Sequence, residues 1–147
     1  MFYFRILQDK RLKLLHPLFW MLRYILSKRK QIEILPSTKI GPGFRMVHSY
    51  GITVNGQAVI GENVNMYKGV TIGISGGKRK GVPIIGNNVQ IGINATVIGG
   101  ITIGNDVVIA PNAFVNFDVP DHSVVIGNPG QVIYKENASK GYIAFTD

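Results

Sequence analysis

Between Ile85 and Val119 the chain repeats itself every six residues. Ile85, Ile91, Val97, Ile103, Ile109 and Val115 are all aliphatic, and four places after each stand Val89, Ala95, Ile101, Val107, Ala113 and Val119, again small or aliphatic. The positions between them are mostly Gly, Asn, Asp or Thr. A period of six matches neither the 3.6 of a helix nor the 2 of a half-buried strand. It matches a parallel β-helix, in which short strands stack coil on coil and each level buries one apolar residue per face. Gly86, Gly92, Gly99 and Gly104 sit beside the inward residues, where the chain must turn or pack too tightly for a Cβ.

Upstream the beat continues in less regular form through Ile40, Val54, Ile60, Met66 and Ile72, with Ala58, Val64 and Val70 as the partners four places on. It slips twice. From Met46 to Val54 the spacing is eight, around the segment MVHSYGI, and from Ile72 to Ile85 it is thirteen, leaving the Gly- and Lys-rich excursion ISGGKRKGVP. A stacked scaffold displays its insertions as loops on its surface, so both slips are candidate functional sites.

At 147 residues and 46% apolar content, one domain with its own core is expected. There is no cysteine, which excludes a disulfide framework and a thiol nucleophile and fits a cytoplasmic location. The net charge of +8 is uneven: residues 1–32 hold eight Lys or Arg against Asp9 alone, and the remainder is nearly neutral. A nucleic-acid binder would carry its charge on the folded domain, so no nucleic-acid partner is expected. The basic segment reads as two short amphipathic helical pieces separated at Pro17. Its apolar run from Leu18 to Leu26 is far below the roughly 20 residues that cross a bilayer. Two readings of it stand. One is a helix lying on the inner face of an anionic membrane; the other, preferred, is a helix that packs its apolar face on the solenoid or on a neighbouring subunit.

The segments IEILPSTKIGPGFRMVHSYGITVNG, VNMYKGVTIG, the regular repeats and VPDHSVVIGNPGQVI together resemble the hexapeptide-repeat acyltransferase family. Within it, residues 32–133 are similar to the serine acetyltransferase branch and to the related polysaccharide O-acetyltransferases. The resemblance implies an all-β fold, a left-handed parallel β-helix preceded by a short α-helical segment, together with a homotrimer and acetyl-CoA as co-substrate. The organisation expected is a basic helical segment at 1–32, an acyltransferase β-helix at 33–126 carrying a loop at 74–84, and a C-terminal extension at 127–147.

Of the three histidines, His16 lies in the basic segment and His122 in the turn VPDHSV, where solvent exposure explains it. His48 falls where the repeat slips. Its near-neutral pKa lets an imidazole take a proton from a hydroxyl and return it within one turnover. The resemblance implies that His48 is this base and that Glu33, fifteen residues upstream, orients it as a carboxylate orients the histidine of a serine-protease triad. Transfer would then be direct, with backbone amides stabilising the oxyanion and no covalent enzyme intermediate.

The departures bear on the acceptor. Where the serine branch has an aspartate just before the histidine, this chain has Val47. A histidine and an arginine of its long loop correspond roughly to Val82 and Gly81. A selective site pairs both charges of a free amino acid, so the main expectation is a neutral hydroxyl on a sugar or polysaccharide precursor, with serine as the alternative and a non-catalytic scaffold as a remote third. Tyr50 and Tyr67 could stack on a sugar ring, and Lys78, Arg79 and Lys80 could meet phosphates or an anionic glycan. The resemblance places the pantetheine arm near Gly92, Ile93, Ala110 and Pro111, of which Pro111 has no amide hydrogen to give, and the CoA phosphates near Gln131 and Lys135. No metal site is expected, since the regular coils contain no histidine between Ile52 and Val119.

Overall fold

The computed structural model describes residues 9–143. The start of the basic segment (residues 1–8) and the end of the C-terminal extension (residues 144–147) lie outside the described residues. The rest of the chain forms a parallel β-solenoid of about five turns with one short helical segment at its base.

Three sheets run along the solenoid. The first stacks β1 (Glu33–Ile34), β4 (Thr53–Val54), β7 (Thr71–Gly73), β10 (Thr96–Ile98) and β13 (Phe114–Val115). The second stacks β2 (Lys39–Ile40), β5 (Val59–Ile60), β8 (Ile84–Ile85) and β11 (Thr102–Ile103). The third stacks β3 (Arg45–Val47), β6 (Asn65–Tyr67), β9 (Val89–Ile91), β12 (Val107–Ile109) and β14 (Ser123–Ile126), closed by an antiparallel β15 (Gln131–Tyr134). Strands of two to four residues suffice because each backbone group bonds to the coil above or below, so a coil's strands depend on their neighbours in the stack.

The inward residues are the ones the six-residue beat names. All twelve aliphatic positions between Ile85 and Val119 are buried, and with Ile52, Ile60, Met66 and Ile72 they form one continuous core. Burying each such side chain is worth about 1.5–3 kcal/mol, which holds the stack together without disulfides. Most corners between sheets turn through a residue in the left-handed region, and Asn, Asp or His fill them at Asn63, Asn88, Asn94, Asp106, Asn112 and His122. These side chains tolerate that backbone best after glycine.

The helical segment differs from the expected break at Pro17. A 3₁₀ turn, Lys10–Leu15, capped by the Asp9 carboxylate, leads directly into α1 (His16–Lys30). Pro17 falls in the first turn of α1, where its missing N–H costs nothing. Leu18, Trp20, Met21, Tyr24 and Ile25 remain about half exposed, so the apolar surface of α1 is not covered by this chain's own solenoid. No helix of the described residues is long and apolar enough to cross a membrane.

At the other end, residues 138–143 return as a strap over the outer face of the third sheet. Asn65, Gln90 and Val108 point outward there yet are buried, and the Tyr142 carbonyl accepts a hydrogen bond from Asn65 Nδ2 at 2.9 Å.

Candidate active site

Strand register locates the first slip in the repeat. Val47 pairs with Tyr67 and Thr53 with Thr71, so the corner from β3 to β4 holds two residues more than the corner above it. His48 opens this enlarged corner with φ +51° and is exposed. The left-handed backbone belongs to corner geometry, since other corners share it, and His48 is in register with Lys68 of the next coil, which is exposed as well. The corner is tied to its surroundings at both ends. Gly51 N–H donates to the Lys30 carbonyl at the end of α1 (2.9 Å), and the Tyr50 carbonyl accepts from Gly69 N–H (2.9 Å). Lys30 Nζ also reaches Ser49 Oγ at 3.5 Å.

Glu33 stacks directly beneath Thr53, five residues beyond His48, so carboxylate and imidazole flank the same corner. Their side chains form no hydrogen bond with each other. Glu33 instead lines an open groove of about 690 Å³ between α1 and the first coil, together with Tyr24, Lys28, Leu35, Gly51 and Thr53. Tyr50 is half exposed beside His48, and Tyr67 lies in register with Val47, half buried.

The positions expected to meet the cofactor fall along the same edge of the solenoid. Gly92, Ile93 and Asn94 form the corner between β9 and β10, and Ala110, Pro111 and Asn112 the one between β12 and β13, all from the third sheet to the first. Gly92 is buried because the next coil leaves no room: a Cβ there would lie 2.6 Å from Pro111 N. The amides of Gly92 and Ala110 are used within the stack, bonded to the carbonyls of Ile109 and Val125. The Ile93 amide has no acceptor among the described residues, while its carbonyl receives Asn112 N–H at 2.8 Å. Gln131 follows the turn at the end of β14, on the same edge.

Two groups of expected residues lie elsewhere. Lys135 sits past the far end of β15, bonded through its amide to the His122 carbonyl, at the opposite edge of the third sheet. The excursion between β7 and β8 leaves from the edge joining the first and second sheets. It folds back on itself, with Ser75 paired to Gly81, and it is fastened to the solenoid by Arg79. The Arg79 carbonyl accepts from Gly100 N–H at 2.8 Å, and its guanidinium forms an ion pair with Asp118. Asp118 is held below the usual carboxylate range, first by the Thr102 amide it accepts and then by Arg79. Arg79 is therefore already engaged, whereas Lys78 and Lys80 are exposed without an ion pair among the described residues.

His122 is more than an exposed turn residue. Its Nδ1 lies 2.8 Å from the carboxylate of Asp106, which also accepts from the Ala138 and Ser139 amides and the Ser139 hydroxyl. Sequence reasoning missed this cluster and missed Lys28 and Tyr24 in the groove. The only signal for Asp106 was its place in the corner pattern Gly-Asn-Asp, and Lys28 was one cation of a basic run. Among the described residues no group of three or more His, Asp or Glu is arranged to hold a metal ion.

Residues 83–116 match the family model described as bacterial transferase hexapeptide (six repeats). The chain is 40% identical over 111 residues to a serine acetyltransferase of Staphylococcus aureus strain Mu50, covering 75% of this chain and 52% of that protein. The crystal structure of Neisseria gonorrhoeae serine acetyltransferase superposes with a TM-score of 0.76 at 32% identity, covering 91% of this chain and 53% of the other. A serine acetyltransferase solved in complex with CoA gives 0.75 at 29% identity, over 89% and 54% of the two chains. The chain thus spans about half the length of the curated relatives it matches. Repeat, solenoid and sequence thus agree in likening this chain to the bacterial hexapeptide-repeat transferases and, among them, to serine acetyltransferases.

Proposed function

We propose that the chain is an acetyl-CoA-dependent O-acetyltransferase that acetylates the hydroxyl of a small acceptor, with L-serine as the acceptor of first choice and His48 as the base. The observation that carries the reading is that His48, exposed at a corner enlarged by two residues, stands in the same column of the solenoid edge as Ile93, whose amide is open. The relatives' names favour serine over the sugar that the missing loop charges suggested. That a neighbour was solved with CoA supports the donor.

In this reading the acceptor oxygen attacks the thioester carbonyl as His48 takes its proton. The oxygen–carbon bond forms, the carbon–sulfur bond breaks, and the imidazolium returns the proton to the departing CoA thiolate. Glu33, flanking the same corner, is the carboxylate available to hold the imidazolium in place. Along the edge, the Ile93 amide is free to meet the donor. Gln131, on that edge, and Lys78 and Lys80, on the loop of another edge, would engage the donor's distal parts when subunits associate, the family's trimer being the assembly proposed.

A sugar hydroxyl remains the second reading because Val47 stands beside His48 and neither Gly81 nor Val82 brings charge to the loop, while Tyr50 offers an exposed ring. Release of CoA thiol from acetyl-CoA, followed with L-serine and with neutral sugars as separate acceptors, decides between them. Thiol release with neither acceptor would sink the acyltransferase reading.

A further inference from the structure

We infer that the groove between α1 and the first coil is the acceptor site, and that Lys28 is its specificity residue, seating a carboxylate carried by the acceptor. The inference rests on the acyl-transfer reading above and names the acceptor's chemistry: a hydroxyl compound that is also a carboxylate.

The groove brings two opposite charges to one space without letting them meet. Lys28 enters from α1 and Glu33 from β1, and among the described residues neither forms an ion pair. Lys28 Nζ lies 5.2 Å from the centroid of the Tyr24 ring, which holds the ammonium on the groove wall while leaving its hydrogen-bonding capacity open. Leu35 adds an apolar wall. The carbonyls at the end of a helix disfavour an anion, but the last turn of α1 also carries Lys28, Arg29 and Lys30, which offset that field.

The groove is placed for the reaction. Gly51 and Thr53 line it, and the bond from Gly51 N–H to the Lys30 carbonyl fixes the end of α1 to the corner that begins at His48. The groove thus adjoins the far end of that corner, at Gly51 and Thr53, and the inference requires the acceptor to reach from there to His48. Lys68, one coil above His48, is not among the residues lining the groove. Lys30 is turned to Ser49, Arg79 is paired with Asp118, and Lys78 and Lys80 leave from a different edge. With Glu33 assigned to the imidazolium, Lys28 makes the contact to the acceptor alone, so an amino acid and an acidic sugar both satisfy it and the acceptor pairs below tell them apart.

The test compares two pairs of acceptors that differ in the carboxylate: L-serine with L-serinamide, and D-glucuronate with D-glucose. Affinity is measured by calorimetry and thiol release on the same samples, for the wild type, Lys28→Gln and Lys28→Arg. Wild type should prefer one carboxylate over its neutral counterpart by about tenfold, as expected for a charge-assisted contact in a half-open groove. Lys28→Gln should abolish that preference and Lys28→Arg should keep it. Which pair shows the preference tells an amino acid from an acidic sugar. An undiminished preference in Lys28→Gln, or none in the wild type, overturns the inference. Preference lost in Lys28→Gln with no thiol release from any acceptor would instead sustain the groove and sink the acyl-transfer reading.

Discussion

Asp106 and Ser139, thirty-three residues apart, are joined by two hydrogen bonds: the Ser139 hydroxyl donates to Asp106 Oδ1 at 2.6 Å and its amide to the same oxygen at 2.8 Å. With the Ala138 amide and His122 on Oδ2, this carboxylate anchors the C-terminal strap to the corner before β12. Burial pushes the Asp106 carboxyl up, but the bonds from Ser139, His122 and Ala138 outweigh it and bring the pKa down to about 2.

A folded pKa below the ordinary value of 3.8 means the folded state favours the carboxylate. The stabilisation is fully present above that ordinary value and is lost as the pH falls through about 2, a span worth about 2 kcal/mol. Asp106→Asn isolates this contribution, because asparagine tolerates the φ of +54° that alanine would strain. The variant should unfold at lower temperature at pH 7 and should show a flatter decline between pH 4 and pH 2 than the wild type. Melting temperature against pH checks both, and parallel curves would show that the carboxylate does not secure the strap.

Gly92 tests the stacking of the coils. Its φ is ordinary, so the demand for glycine is steric: an added Cβ meets Pro111 N, Ala110 C and Ile109 O at 2.6–2.9 Å, all of them backbone. Nothing flexible can move aside, and relieving the clash lengthens the 2.8 Å bond from Gly92 N–H to the Ile109 carbonyl. Gly92→Ala should cost about 3 kcal/mol in urea unfolding. Gly76→Ala is the control, since nothing lies within 4 Å of its added Cβ, and it should be neutral within about 0.5 kcal/mol.

The residues that face the solenoid core were legible because one position per face admits only an aliphatic side chain, and the rule repeats at every coil. Ile91 and Ile109 follow it, and so do the two slips, which appear in the structure as an enlarged corner at His48 and an excursion before Ile84. Asp106–Ser139 and Arg79–Asp118 were not legible. They join segments through side chains whose meeting depends on how a strap or loop folds back, and no local period records that. The groove was hidden for a similar reason: Lys28 and Glu33 are five residues apart, but their opposition follows from the direction in which α1 leaves the first coil.

Arg79 and Asp118 fasten the excursion at an exposed site, with side chains 44% and 57% accessible. Water screens such a pair, so a double-mutant cycle with alanine at both positions should give a coupling below about 1 kcal/mol that shrinks in high salt. Asp118→Ala should nevertheless cost more than Arg79→Ala, by about 1 kcal/mol, because Asp118 Oδ1 also accepts the Thr102 amide at 2.8 Å. Equal costs would mean that the Thr102 contact adds nothing to stability.

His48 can be removed without disturbing its corner. Alanine would strain the left-handed backbone at φ +51°, whereas asparagine occupies the corresponding angle at Asn63, Asn88, Asn94 and Asn112. His48→Asn should therefore melt within a few degrees of the wild type, since the ring is exposed and forms no hydrogen bond. Under the proposed reading acetyl transfer should fall by about 10²- to 10⁴-fold, the usual worth of a general base, with KM for acetyl-CoA little changed because the proposed donor contact is the Ile93 amide and not His48. Steady-state thiol release with the best acceptor reads both constants. Activity within about threefold of wild type would remove His48 as the base; a raised KM for acetyl-CoA with unchanged kcat would make it a binding residue for the donor.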